Sequence, residues 1–120
     1  MGVYQDLEVW NKAIDLAVES YTISSSFPRE ERSGLISQMR RAATSVAANI
    51  AEGEGRYSNA EFVQFLRISR GSLLELETHF IIAQRLNYLT NTDLERLLSH
   101  SSEIGKMING LIKSISRKQK

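Results

Sequence analysis

The chain has 120 residues, of which 15 are basic and 14 acidic, so its formal net charge is +1. This length suits one domain, which buries about two-thirds of the surface that the unfolded chain exposes. A nearly neutral chain has no overall attraction to nucleic acid, so any basic surface must be local. The sequence has no cysteine, which excludes disulfides, thiolate metal sites and thiol catalysis.

The chain carries no sign of a targeting or membrane-spanning segment. Its N-terminal residues contain no basic stretch followed by an apolar run, so we expect no signal peptide. The uncharged segment 42–51 is about half as long as a membrane span. These features, with the lack of cysteine, predict a cytoplasmic protein that does not contact membranes.

Apolar residues recur at alternating spacings of three and four throughout the chain, which is typical of helices with one apolar stripe. We predict four helices, at about residues 5–24, 28–54, 59–87 and 93–116. Pro28 is expected to open the second helix, and capping boxes at Ser58 and Thr92 to precede the third and fourth. Short links between amphipathic helices favour an all-α, antiparallel up-down-up-down four-helix bundle, formed as a single domain over residues 1–120.

The second predicted helix contains a segment, residues 42–51, in which no side chain is charged. The outer face of a bundle helix is normally charged, so this helix should be covered on more than one side. We interpret its small side chains, Ala43, Ala47, Ala48 and Ala51, as an interface with another subunit. The alternative is a mildly polar surface helix, because scattered apolar residues are normal on protein surfaces.

The remaining polar residues of the predicted core indicate structure and not catalysis. Asn49 falls on the core stripe of the second helix, where Ser69 and Ser72 of the third helix are its expected partners. His79 and His100 lie on different helices, and neither follows a glutamate at the spacing of a di-iron bundle. We therefore expect no catalytic residue, no metal site and no cofactor, and a protein that is not an enzyme.

Arginines are the candidate binding residues. Arg40, Arg41, Arg67 and Arg70, which lie within the second and third predicted helices, have no acidic residue three or four positions away. If the second and third helices fold back near residue 57, Arg40 and Arg41 lie level with Glu75 and Glu77. Ion pairs between the two helices are then the alternative to ligand binding by this pair of arginines.

Arg67 and Arg70 lie level with the uncharged segment, where no acid of the same chain is obviously placed for them. They could face solvent, the acids of another subunit, or an anionic ligand such as a phosphate backbone. Arg56 follows Glu52 by one helical turn and extends the candidate surface. The basic tail is a further candidate, with Arg117, Lys118 and Lys120.

Five sequence blocks point to a family. They are Tyr-Gln-Asp-Leu-Glu-Val-Trp at 4–10, Phe-Pro-Arg-Glu-Glu at 27–31, Gln-Met-Arg-Arg-Ala at 38–42, Asn-Ile-Ala-Glu-Gly at 49–53 and Gly-Ser-Leu-Leu-Glu-Leu-Glu at 71–77. In these blocks the chain resembles the bacterial four-helix-bundle proteins encoded in intervening sequences of 23S ribosomal RNA genes. It is also similar to the accessory variability proteins of diversity-generating retroelements.

The resemblance implies a four-helix bundle that assembles as a ring, which is a homo-pentamer in known relatives. The retroelement proteins present a basic ring surface to nucleic acid and to a reverse transcriptase, and this chain is less basic than they are. Two functions are therefore open. One is a ring-forming, non-enzymatic homo-oligomer that contacts structured RNA through its arginines, and the other is a scaffold that binds a protein partner.

Overall fold

The computed structural model describes residues 3–118. Within this range it has four α-helices, no strand and two short 3-10 helices: α1 (Glu8–Ser24), α2 (Leu35–Glu54), α3 (Asn59–Arg85) and α4 (Asn91–Lys118), with 3-10 turns at Tyr4–Asp6 and Arg29–Glu31. Each α-helix packs on two neighbours, in the cyclic order α1, α2, α3, α4, and over the described residues the backbones of the diagonal pairs stay more than 8 Å apart. The chain is therefore the expected all-α four-helix bundle, in which α2 lies diagonally opposite α4.

The ends of the helices follow local chemistry, with two departures from the sequence prediction. Ser58 caps α3 as predicted, because its Oγ accepts the N–H of Glu61 at 3.1 Å. α4 is capped by Thr90 and not by Thr92, since the Thr90 Oγ1 accepts the N–H of Asp93 at 3.0 Å. α2 begins at Leu35 and not at Pro28, because Gly34 adopts a non-helical backbone with φ −106° and ψ −109°.

Asn87 ends α3. Its φ of 64° is left-handed, a conformation that asparagine tolerates better than most residues. The N–H of Tyr88 then donates to the carbonyl of Ala83 at 2.9 Å, which is the long hydrogen bond of a Schellman motif. The Tyr88 hydroxyl donates to Glu31 Oε2 at 3.0 Å, and this hydrogen bond raises the pKa of Tyr88. The turn after α3 is thereby fixed to the turn before α2.

One core fills the space between the four helices. Its fully buried apolar side chains come from every helix: Leu16, Met39, Val46, Ile50, Leu66, Leu76, Phe80, Leu97, Ile104 and Ile108. α2 and α3 approach closely at Gly53, where a side chain would collide with Phe62 and Phe65. None of the helices over residues 3–118 has the length and apolar character required to cross a bilayer.

Candidate nucleic-acid interface

Arg40 is held by α1 and not by the glutamates of α3. Its Nε donates to Ser24 Oγ at 2.9 Å, an Nη donates to the Tyr21 carbonyl at 3.2 Å, and the guanidinium stacks 4.6 Å from the centre of the Tyr21 ring. The predicted ion pairs with Glu75 and Glu77 are therefore not formed. The physical reason is that the Arg40 side chain points from α2 toward α1 and not toward α3. Glu77 of α3 instead accepts a hydrogen bond from Ser101 of α4.

Arg40→Ala should lower the free energy of unfolding more than Arg41→Ala, because only Arg40 is held by other residues. Truncating Arg40 leaves the buried Ser24 hydroxyl without this donor and removes the stack on Tyr21, so we expect a loss of about 1–2 kcal/mol in the free energy of unfolding. Arg41 is exposed and pairs with no carboxylate in the described range, so its truncation should change stability by less than about 0.5 kcal/mol. Urea unfolding of the two variants checks this, and equal losses would contradict it.

Arg67 and Arg70 lie along the side of α3 that borders α4. Arg70 is half-buried, and its Nη1 donates to Asn109 Oδ1 at 2.6 Å. Arg67 precedes it by three residues, on the same face of the helix. Arg67 is exposed and makes no hydrogen bond or ion pair to any residue whose side chain the structure describes. Neither arginine pairs with an acid in the part of the chain that the structure describes, and Arg70 turns toward α4.

Two lysines that the sequence did not single out join this pair. Lys106 and Lys113 lie three residues before and four residues after Asn109, so they share its face of α4. Both are exposed. Arg67, Arg70, Lys106 and Lys113 thus lie on the sides of α3 and α4 that carry the contact between Arg70 and Asn109. We call these four cations the α3–α4 cluster.

The acid nearest to the α3–α4 cluster along α4 is Glu103, one helical turn before Lys106. Segments 62–74 of α3 and 104–118 of α4 contain no aspartate or glutamate, and the fold lays them side by side. Glu103, just before the second segment, turns toward α1 and lies 3.5 Å from Lys12 Nζ. Because the net charge of the chain is only +1, most of its carboxylates must lie elsewhere. The fold therefore places two acid-free helix segments next to each other.

The other candidate arginines do not belong to the α3–α4 cluster. Arg56 lies at the turn between α2 and α3, where it pairs with Glu52 Oε1 at 2.8 Å and stacks 4.7 Å from the centre of the Phe65 ring. Arg40 is bound to α1, and Arg41 stands on the outer face of α2. In the tail Arg117 is exposed, the side chain of Lys118 is not described, and Lys120 lies outside the described residues.

The uncharged segment of α2 is partly core and partly surface. Ala43 and Ala47 are only 1% and 4% exposed within the single chain, so neither has surface left for a second subunit. Ala48 is exposed and Ala51 is half-buried, and these two remain candidates for the interface. The alternation follows from helix geometry, since a segment that turns every 3.6 residues shows one side inward and another outward.

The polar core residues also differ from expectation. Asn49 is half-buried, and its amide donates locally to the carbonyl and the Oγ of Ser45, at 2.8 and 3.1 Å. Ser69 instead donates to the Val46 carbonyl at 2.7 Å, which joins α3 to α2. The Asn49 amide therefore makes its hydrogen bonds within α2 and does not link α2 to α3.

The two histidines have different surroundings, because His100 is exposed and His79 is buried. His100 Nδ1 lies 2.9 Å from Glu19 Oε1 on the surface between α1 and α4, beside Arg96, which also pairs with Glu19. His79 is buried, and its Nε2 lies 3.7 Å from Glu75, too far for a hydrogen bond. Over residues 3–118 no three potential ligand side chains of histidine, cysteine, aspartate or glutamate come together to hold a metal ion.

Fold and surface together define a helical-bundle protein with two adjacent acid-free helix segments and one helix face that is uncharged between Arg41 and Glu52. Residues 5–110 match the family of 23S rRNA-intervening sequence proteins. This match spans most of the chain, which therefore belongs to that family. The likeness to the retroelement accessory proteins stays a prediction.

A solved structure supports the same placement. The chain is similar to a protein with unknown function from the S23 ribosomal protein family of Bacteroides thetaiotaomicron, at 29% sequence identity and a TM-score of 0.79. The similarity covers 88% of this chain and 98% of the other. No curated protein matches the chain.

Proposed function

We propose that this protein is a non-enzymatic homo-oligomer that contacts structured RNA through the α3–α4 cluster. The observation that carries the proposal is the meeting of two acid-free helix segments, which concentrates four cations on one face of a nearly neutral chain. Phosphate groups are the natural partners of such a face, because arginine and lysine neutralise them and release their counterions. Contacts of this kind position a nucleic acid without reading its sequence.

Self-association is supported by the outer face of α2. Arg41, Ser45, Ala48 and Glu52 follow one another at spacings of four, three and four and so form one stripe, charged only at its two ends. Val18 adds an exposed apolar side chain on the neighbouring helix α1, one turn before Tyr21, the partner of Arg40. A contiguous uncharged surface of this kind marks a protein contact.

The two surfaces do not compete. α2 and α4 lie diagonally opposite each other, so the outer face of α2 and the α3–α4 cluster are on separate sides of the bundle, and the second face that a ring requires must leave the cluster open. A ring of five subunits, which the family resemblance implies, would repeat the cluster five times. Weak phosphate contacts would then add up through avidity.

The double variant Arg67→Gln/Arg70→Gln tests the RNA contact. We expect wild type to bind unrelated structured RNAs, and to bind them more weakly at about 200 mM salt than at about 50 mM. The double variant should lose affinity about ten-fold or more for all of them, with a shallower salt dependence and an unchanged unfolding midpoint. Arg85→Gln, which removes an exposed cation at the far end of α3, is the control and should bind like wild type.

A second function, a scaffold for a protein partner, is favoured by exposed apolar side chains on α3. Leu74, Ile82 and Leu86 are each more than two-fifths exposed. If wild type does not bind RNA, or if the double variant binds as well as wild type, the RNA proposal fails and the scaffold takes its place. The α3–α4 cluster would then serve solubility or a contact with an acidic protein.

A further inference from the structure

The α3–α4 cluster lacks the aromatic side chains that single-stranded nucleic acid requires. Segment 104–118 of α4 contains no aromatic residue, and segment 62–74 of α3 contains only Phe62 and Phe65. Both are half-buried, and Phe65 lies beneath the guanidinium of Arg56. Proteins that bind single strands stack successive bases on exposed aromatic rings. No such platform borders the cluster.

The exposed aromatic residues of the described chain are elsewhere. Tyr21 lies on α1, beneath Arg40, and α1 is diagonally opposite α3. Tyr57 is fully exposed at the turn between α2 and α3, about 15 Å along the axis of α3 from Arg67. A base stacked on either ring would therefore not be in contact with the cluster.

The shape of the cluster suits the backbone of a double helix. Its cations project from two adjacent antiparallel helices, whose axes lie about 8–10 Å apart in packed bundles, and Lys106 and Lys113 are separated by about 10 Å along α4. Arg70 is held in place by Asn109, so one guanidinium is oriented before any ligand arrives. A rigid, convex pair of helices cannot wrap a flexible strand, but it can rest on a row of phosphates that a duplex holds at fixed positions.

We infer that the ligand of the α3–α4 cluster is the double-helical part of an RNA, gripped through its phosphates, with Lys106 and Lys113 as contacts equal in importance to the two arginines. This inference rests on the proposed RNA contact and specifies its ligand class. It requires no base readout, because duplex RNA is recognised by its shape and backbone. A single strand with the same number of phosphates offers the same charge without the fixed spacing.

The test compares a blunt RNA duplex of about 20 base pairs with an unstructured single-stranded RNA of equal phosphate number, at about 50 and about 200 mM salt. We expect the duplex to bind at least about ten-fold more tightly. Lys106→Gln/Lys113→Gln should weaken duplex binding about ten-fold and flatten its salt dependence by about two in slope, with the unfolding midpoint unchanged. Arg29→Gln/Arg32→Gln, which removes two exposed cations of the 3-10 turn, should bind like wild type.

The outcomes separate this inference from the proposed function. If neither RNA binds, both fail. If the single strand binds as well as the duplex or better, the duplex inference is wrong while the RNA contact stands. If the duplex is preferred but the lysine variant binds it as well as wild type, Lys106 and Lys113 are not contacts of the duplex and the inference is again wrong.

Discussion

Gly53→Ala is expected to destabilise the bundle by about 2 kcal/mol, although replacing a glycine in a helix by alanine ordinarily stabilises it. A Cβ at this position would lie 2.7 Å from Phe65 Cβ, 3.0 Å from Phe62 Cδ1 and 3.2 Å from the Phe62 carbonyl oxygen. Two of these atoms belong to or adjoin the backbone of α3, so they cannot move without shifting the helix. Overpacking should therefore outweigh the gain of about 1 kcal/mol in helix propensity.

Gly71→Ala is the matched control on α3. It lies inside a helix, is exposed, and has no atom within 4 Å of the position that a Cβ would take. We expect it to raise the free energy of unfolding by about 0.5–1 kcal/mol. Urea unfolding at one fixed protein concentration measures both variants, because the stability of an oligomer depends on concentration. If both substitutions change the free energy of unfolding in the same direction, α2 and α3 do not approach too closely at Gly53 to admit a Cβ, and the prediction is wrong.

Ala48→Glu should dissociate the oligomer into folded single subunits. Ala48 is exposed at the centre of the uncharged stripe on α2, so a carboxylate there costs little in one subunit but several kcal/mol when a neighbour buries it without a partner. Light scattering should give a mass of several subunits for wild type and of one subunit for the variant. Its unfolding should stay cooperative.

Two further substitutions make this result specific. Ala47→Glu places the same charge one position earlier, in the core, and should unfold the chain, because Ala47 is 4% exposed. Ser99→Glu adds a carboxylate to the exposed side of α4, diagonally opposite; it should leave the assembly intact if α4 stays free, and dissociation here too would identify α4 as the second face that a ring requires. A wild-type mass of one subunit in dilute solution would end the proposal of self-association.

Helix existence and fold class could be predicted because they depend on local periodicity. The spacing of three and four recurs in every segment, and four such segments with short links leave few architectures. The boundaries were less accurate where a single residue's backbone decides them. The non-helical conformation of Gly34 moves the start of α2 to Leu35. The Thr90 hydroxyl, two residues before the predicted cap, accepts the capping hydrogen bond of α4 from the N–H of Asp93.

The candidate site could be predicted only in part. Arg67 and Arg70 stood out because no acid lies near them in sequence, and the structure leaves Arg67 exposed and gives Arg70 only a neutral partner, Asn109. Lys106 and Lys113 were missed, although the lack of any acid after Glu103 is visible in the sequence. That signal becomes meaningful only when α4 is placed against the acid-free segment of α3.

The sequence by itself determined that this protein is a helical bundle without cysteine chemistry, with each helix showing a definite apolar face. The tertiary structure decided which neighbour each remaining face meets. Helical periodicity fixes the angle of a side chain about its own axis, but the order and register of the helices come from packing four sets of side chains into one core. For this reason Arg40 meets Tyr21 and not Glu77, and Ala47 is buried while Ala48 is exposed. The α3–α4 cluster exists for the same reason, since it depends on a register between two helices that neither helix carries alone.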